Sequence, residues 1–252
     1  MTRPILAALA VLLAGAAAGE EIAVCIDDAN PPFSSRDLLG ELEGFEIDLG
    51  RALAEAMEQG IVWVETPRAE QIAALEDGAC DAILSMLAIT DETRARVAFT
   101  APYYRTHARL AAEQGVAWSD DVDGMAGRRL CVQADTVHEA YAEATFTESE
   151  IVGHDSADAL FAAAADGACD ALMADGPALR EGFLGTLQGG AFAVFGGEHF
   201  DPEIHGEGVG VAVRQGDDAL RERFDAALAE IRESGVFQIL NARYFPEDVA
   251  AD

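Results

Sequence analysis

The chain contains no lysine. All 16 of its basic residues are arginine, set against 46 aspartates and glutamates, for a formal net charge of −30 at pH 7. Such a chain has no basic patch with which to hold nucleic acid or an anionic membrane surface. The acid excess fits solubility or an acidic face that meets a basic partner, and residue spacing does not choose between these. Aromatics make up only 7% of residues, while alanine and glycine abound. That balance disfavours an aromatic-rich β-sandwich and suits helices packed closely on sheets. The usual catalytic signatures are missing as well: there is no Gly-x-Ser-x-Gly, no phosphate loop and no His-Glu-x-x-His. Without Cys-x-x-Cys, a zinc or thioredoxin-type reading is poor. His107, His138, His154, His199 and His205 show no metal-ligand spacing, so ordinary surface or core roles are expected. No cofactor is expected.

What is present begins with an export segment over residues 1–19. Arg3 supplies the positive start, Ile5 to Leu13 an apolar run, and Ala16-Ala17-Ala18 a small-residue cleavage pattern. The run falls short of the roughly 20 apolar residues that span a bilayer, and no later stretch is long and apolar enough to do so. Removing the segment takes Arg3 with it and leaves about −31 (15 − 46) on the mature chain. A soluble monomer in a bacterial periplasm is expected.

From Glu21 onward the chain alternates short apolar strands with amphipathic helices. EIAVCI (21–26) reads as a strand and DDANPPF (27–33) as a loop that its prolines bar from helix. Ile47, Leu49, Leu53, Ala54 and Met57 recur at helical spacing. IVWVE (61–65) is the next strand. Thr66-Pro67 then opens a helix, with Thr66 as its N-cap, and CDAILS (80–85) is the third strand. This β-α-β-α-β order marks a mainly parallel, helix-covered sheet. Ser85 to Arg94 offers hydroxyls and a guanidinium just past a buried strand, where open α/β sheets place small ligands.

The programme then repeats. RLCVQ (129–133) is a strand, Thr136 and Glu139 form a capping box, Ser156 caps a further helix, and GACDALM (167–173) echoes GACDAIL (78–84). Two lobes of one construction follow: residues 20–108 plus 210–252, and residues 109–209. Two extended crossings join them around a cleft, the favoured place for a ligand. Four cysteines in an exported chain suggest disulfides. They allow three pairings; the repeat favours Cys25–Cys80 and Cys131–Cys169, and the alternative is four buried free thiols.

Several stretches together resemble the bacterial periplasmic solute-binding proteins of the polar amino-acid type (extracellular solute-binding proteins, family 3), the receptors of ABC importers. They are PPFSSRDLLGELEGFEIDLGRALAE (31–55), DGACDAILSMLAITDETRARVAFTAPYY (77–104), GRRLCVQADT (127–136), CDALMADGPAL (169–179) and the C-terminal 208–245. The resemblance implies the two-lobed type II fold and a membrane permease as partner. It implies a ligand α-carboxylate held by Ser85, Ala88, Thr90 and Thr93 or Arg94 in the first lobe, and by Asp135 and Thr136 in the second. It gives the ligand's amino group to Asp175, and places Asp27 and Asn30 in the loop after the first strand. The chain departs from the family pattern in three ways: the family's arginine falls on Thr93, with Arg94 one residue late; Asp135 adds negative charge; and Asn30 and Arg68 stand where ligand-sandwiching aromatics are common. Arg68, a cation in the first turn of a helix, is counted with the ligand-binding set. VCIDDANPPFS, the paired GACD motifs and PYYRTHARL also look like the accessory proteins of periplasmic quinoprotein alcohol dehydrogenases, for which transport is not implied. A cyclohexadienyl-dehydratase-like enzyme using Asp27 or Asp175 is the remote alternative.

Overall fold

The computed structural model describes residues 21–105 and 107–251; the export segment expected over 1–19 lies outside them. Two five-stranded sheets organise the chain. In the first, Glu21–Ile26 lies between Gly60–Glu65 and Ala82–Ile83 and pairs parallel with both. Ala212–Arg214 returns antiparallel against Ala82–Ile83 and carries Val97–Phe99 at the edge. In the second, Arg129–Gln133 pairs parallel with Glu150–His154 and with Ala171–Asp175. Ala108–Glu113 then runs antiparallel to Ala171–Asp175 and is flanked by Phe192–His199. Both sheets are therefore mixed. The β-α-β-α-β stretches give the parallel pairs, and the chain that has crossed between lobes adds the antiparallel ones.

The helices form where the apolar spacing placed them. Phe45–Ala56 buries Phe45, Ile47, Leu49, Leu53 and Ala54, and Asp218–Glu233, capped by Asp217, buries Phe224, Ala227, Leu228 and Ile231. Val236–Tyr244 follows it. Phe33, Phe45, Phe237 and Phe245 gather with Tyr103 and Tyr104, all nearly free of solvent contact. Aromatic pairs such as Phe45–Phe237, 6.0 Å between centroids, tie the C-terminal helix to the helix Phe45–Ala56.

The two GACD copies close equivalent corners. Cys25 is bonded to Cys80 and Cys131 to Cys169, the pairing the repeat favours. Asp81 accepts the Ala23 N–H at 3.1 Å, and Asp170 accepts that of Arg129 at 2.8 Å. Each aspartate thus satisfies the backbone at the start of a neighbouring strand. One local expectation fails: Thr66 caps nothing. Its hydroxyl bonds the Val64 carbonyl at 3.1 Å, and the turn Arg68–Glu70 is a single 3₁₀ turn before the helix Gln71–Glu76.

Candidate ligand-binding cleft

A cavity of about 60 Å³ lies between the two sheets. One wall is Asn30, Phe33, Arg68, Met86 and Ala88; the other is Gln133, Thr136, Val137, His138, Leu160, Met173, Asp175 and His205. Four atoms on the second wall are buried without a hydrogen-bond partner: Gln133 Nε2, His138 Nδ1, Asp175 Oδ2 and His205 Nε2. Buried polar atoms are normally satisfied, so their meeting at one cavity marks a place where a polar group is meant to land.

Asp175 ends the strand Ala171–Asp175, and its Oδ1 is fully engaged. Tyr104 Oη donates to it at 2.8 Å, and the Ala178 N–H at 3.2 Å. It therefore serves the start of the helical segment Ala178–Leu184 and faces the cavity as well. Burial pushes its carboxyl up to about 7, against the lowering effect of those two hydrogen bonds.

Thr136 caps the helix Val137–Thr145, accepting the Glu139 N–H at 3.3 Å. Glu139 reaches back to the Asp135 N–H at 2.8 Å, one residue earlier than in the ordinary capping box. The helix start, with its free N–H groups and positive dipole end, is thereby presented at the cavity wall. His138, on its first turn, is held near 3 by burial, with His205 and Arg68 adding in the same direction.

Arg68 supplies the cleft's inner cation. Its Nη1 and Nη2 donate to the carbonyls of Ser85 and Met86, each at 3.2 Å, and its Nε reaches across to the Asp135 carbonyl at 3.3 Å. Burial lowers its pKa, opposed chiefly by the charges of Asp27, Glu46 and Asp135. Met86 and Asp135 adopt left-handed backbone, at φ 50° and 56°. Such conformations are uncommon outside glycine and gather at functional sites.

Of the residues expected from sequence, Asn30, Arg68, Ala88, Thr136 and Asp175 line the cavity. The others have different engagements. Ser85 is buried, its hydroxyl accepting the Asp27 N–H at 3.1 Å and Gln71 Nε2 at 2.8 Å. Asp27 accepts the Ala29 N–H at 3.1 Å, and burial raises its carboxyl. Thr90 and Thr93 form a reciprocal cap on Asp91–Arg94, and Thr93 also donates to the Ala88 carbonyl at 2.7 Å. Arg94 is exposed and paired with Glu207 at 2.6 Å, so the lone guanidinium of that segment is turned to the surface. Asp135 meets the site through its carbonyl.

Sequence reasoning missed Glu46, Gln133, His138 and His205. Glu46 sits on the apolar side of its helix, fully buried. It accepts the Met86 N–H at 2.6 Å and the Tyr103 hydroxyl, and burial raises its carboxyl to about 7. A charged residue between Phe45 and Ile47 on a core-facing turn was the available signal. For Gln133 and the two histidines there was none, because their neighbours are distant in sequence: His138 packs against His205, and His205 against Tyr141.

Comparison with known proteins adds the family. Residues 22–247 match the model for bacterial extracellular solute-binding proteins, family 3. The chain belongs to that family. It is 37% identical over 235 residues to the L-arginine-binding protein of Pseudomonas aeruginosa, covering 92% of this chain and 91% of that one. It is 33% identical over 239 residues to the lysine/arginine/ornithine-binding periplasmic protein of Escherichia coli, covering 94% and 92%. A solved Salmonella typhimurium periplasmic binding protein, described as highly arginine-specific, superposes with a TM-score of 0.84 over 90% of this chain and all of that chain. At 21% identity that likeness speaks for the two-lobed fold alone.

Proposed function

We propose that this family member is the periplasmic receptor of an ABC importer, carrying a small polar solute between its lobes to a membrane permease. The solute class is an amino acid or a related organic acid. The observation that carries this reading is the unpartnered, buried Oδ2 of Asp175, on a residue that lines one small cavity together with the start of the helix Val137–Thr145. A carboxylate accepts an ammonium, and a helix start accepts a carboxylate. A zwitterion satisfies both. The names of the relatives are those of amino-acid-binding proteins, which supports the same class. Residues 20–108 with 210–252 form one lobe and 109–209 the other, closing on the solute by hinge motion. The export segment proposed for 1–19 and the two disulfides support a periplasmic place for the receptor.

The receptor binds without transforming its solute. A raised carboxyl alone does not make a dehydratase, and Asp175 has both hydrogen bonds to Oδ1 committed to the fold. The test is thermal unfolding against a panel of amino acids and small organic acids. A ligand at 100 times its Kd stabilises the folded state by about 2.7 kcal/mol, roughly 5–10 °C for a chain of this size. A chain that no member of the panel stabilises, and that co-purifies with a periplasmic quinoprotein dehydrogenase, would be an accessory protein instead. A ligand consumed on incubation would make it an enzyme.

A further inference from the structure

Resting on that receptor reading, we infer that Arg68 is a resident guanidinium that sets specificity: it fills the part of the cleft a long basic side chain would need, and restricts the ligand to short amino acids. Three observations meet on this residue. The first is where its donors go. Ser85, Met86 and Asp135 give it three carbonyls, drawn from both walls of the cleft, at 3.2, 3.2 and 3.3 Å. Of the three non-glycine residues with left-handed backbone among those described, two are Met86 and Asp135. The backbone thus holds an uncommon conformation at both walls while accepting from this one side chain.

The second is charge. Asp27 and Glu46 are the two carboxylates acting most strongly on Arg68. A ligand's own guanidinium or ammonium tail would need those same carboxylates and carbonyls, and would meet a like charge in their midst. The third is space. About 60 Å³ remains, and one water takes roughly 10–15 Å³ by the same measure. That is room for a handful of heavy atoms, the size of glycine, alanine or serine. A guanidinium has five N–H donors; three are spent on carbonyls, so two remain for the ligand's carboxylate. Arg68 then takes up the charge that Thr93 lacks and that Arg94 directs to Glu207.

The test compares glycine, L-alanine and L-serine with L-arginine and L-lysine by titration calorimetry, on the wild type and on Arg68→Ala. The wild type should bind the short acids and show at least a hundredfold weaker binding of arginine and lysine. Arg68→Ala should lose tenfold or more in affinity for the short acids and gain measurable arginine binding. Arg68→Met, which keeps bulk without charge, should lose the short acids and gain no arginine, and it serves if the alanine variant does not fold. Wild type that binds arginine as well as it binds alanine overturns the assignment while leaving the receptor reading intact. So does Arg68→Ala that keeps wild-type affinities throughout. Binding of none of the five amino acids by any of the three proteins overturns this inference, and the receptor reading falls with it only if the organic acids of the thermal panel fail as well.

Discussion

Asp175 carries two duties on two oxygens. Its Oδ1 serves the fold through Tyr104 and Ala178, and its Oδ2 is buried without a hydrogen-bond partner on a residue that lines the cavity. Asp175→Asn keeps an acceptor for the first duty and removes the charge needed for the second. Ligand affinity should therefore fall by about 2–5 kcal/mol, the cost of breaking a buried charged pair, with the melting temperature little changed at pH 4.5 and no lower than wild type at pH 8. Calorimetric titration and thermal unfolding of the same variant separate the two. Asp175 and Glu46 also share a pH signature. Both carboxyls stand near 7 in the fold against ordinary values of 3.8 and 4.5, so the folded chain keeps protons that the unfolded chain has lost. Their contribution is thus fully present below about pH 4 and is lost as pH rises to about 7, on the order of a few kcal/mol in all. Urea unfolding from pH 4.5 to 8 should show that decline, and Glu46→Gln with Asp175→Asn should flatten it. For the ligand the sign reverses. An ammonium prefers ionised Asp175, so affinity should rise with pH up to about 7 and then level off, with proton release on binding below that point.

The corner built from Cys131, Cys169, Asp170 and Arg129 repeats the one built from Cys25, Cys80, Asp81 and Arg214. In each, a disulfide joins one strand to the turn that leads into its neighbour, while an aspartate takes a backbone N–H and an arginine. The bridges close loops of 55 and 38 residues, and loops of that length correspond to about 4 kcal/mol each in the chain-entropy account. Cys131→Ser with Cys169→Ser should lose roughly that much in urea unfolding while the first lobe's bridge stays intact. Replacing both pairs should cost about twice as much if the lobes unfold together. These elements are legible in the sequence, because GACD recurs and because caps such as Ser156 and Thr136 act within one turn. Arg68 shows where legibility stopped. Its place among the ligand-binding set could be argued from the odd charge in a helix's first turn, but its acceptors Ser85, Met86 and Asp135 lie 17, 18 and 67 residues away. Arg94 was misplaced for a related reason. Its partner Glu207 is 113 residues distant, so no local pattern could show that it faces outward.

At the scale of the whole molecule, the dominant quantity is the imbalance of 46 acids against 16 arginines. Pairs such as Arg96–Glu76, Arg129–Asp170, Arg221–Asp225 and Arg243–Asp48 lie at 2.5 to 3.1 Å, but exposed pairs of this kind contribute only about 0–1 kcal/mol each. They cannot neutralise an excess of 30 charges. The remaining acids repel one another, and the repulsion is greater in the compact state than in the unfolded chain. Salt should therefore stabilise this protein, since raising ionic strength from 0.15 to 1 M shortens the Debye length from about 8 to about 3 Å. Attractive pairs weaken too, but there are fewer of them, so the repulsive majority decides the sign. The melting temperature should climb by several degrees from 0.02 to 1 M sodium chloride at pH 7.5. The gain should shrink at pH 4.5, where many carboxylates are protonated. Guanidinium chloride should stabilise slightly at its lowest concentrations before it denatures, whereas urea, carrying no charge, should destabilise from the start. A melting temperature that is flat or falling in sodium chloride at pH 7.5 would mean that the surface acids are spaced too far apart to repel effectively.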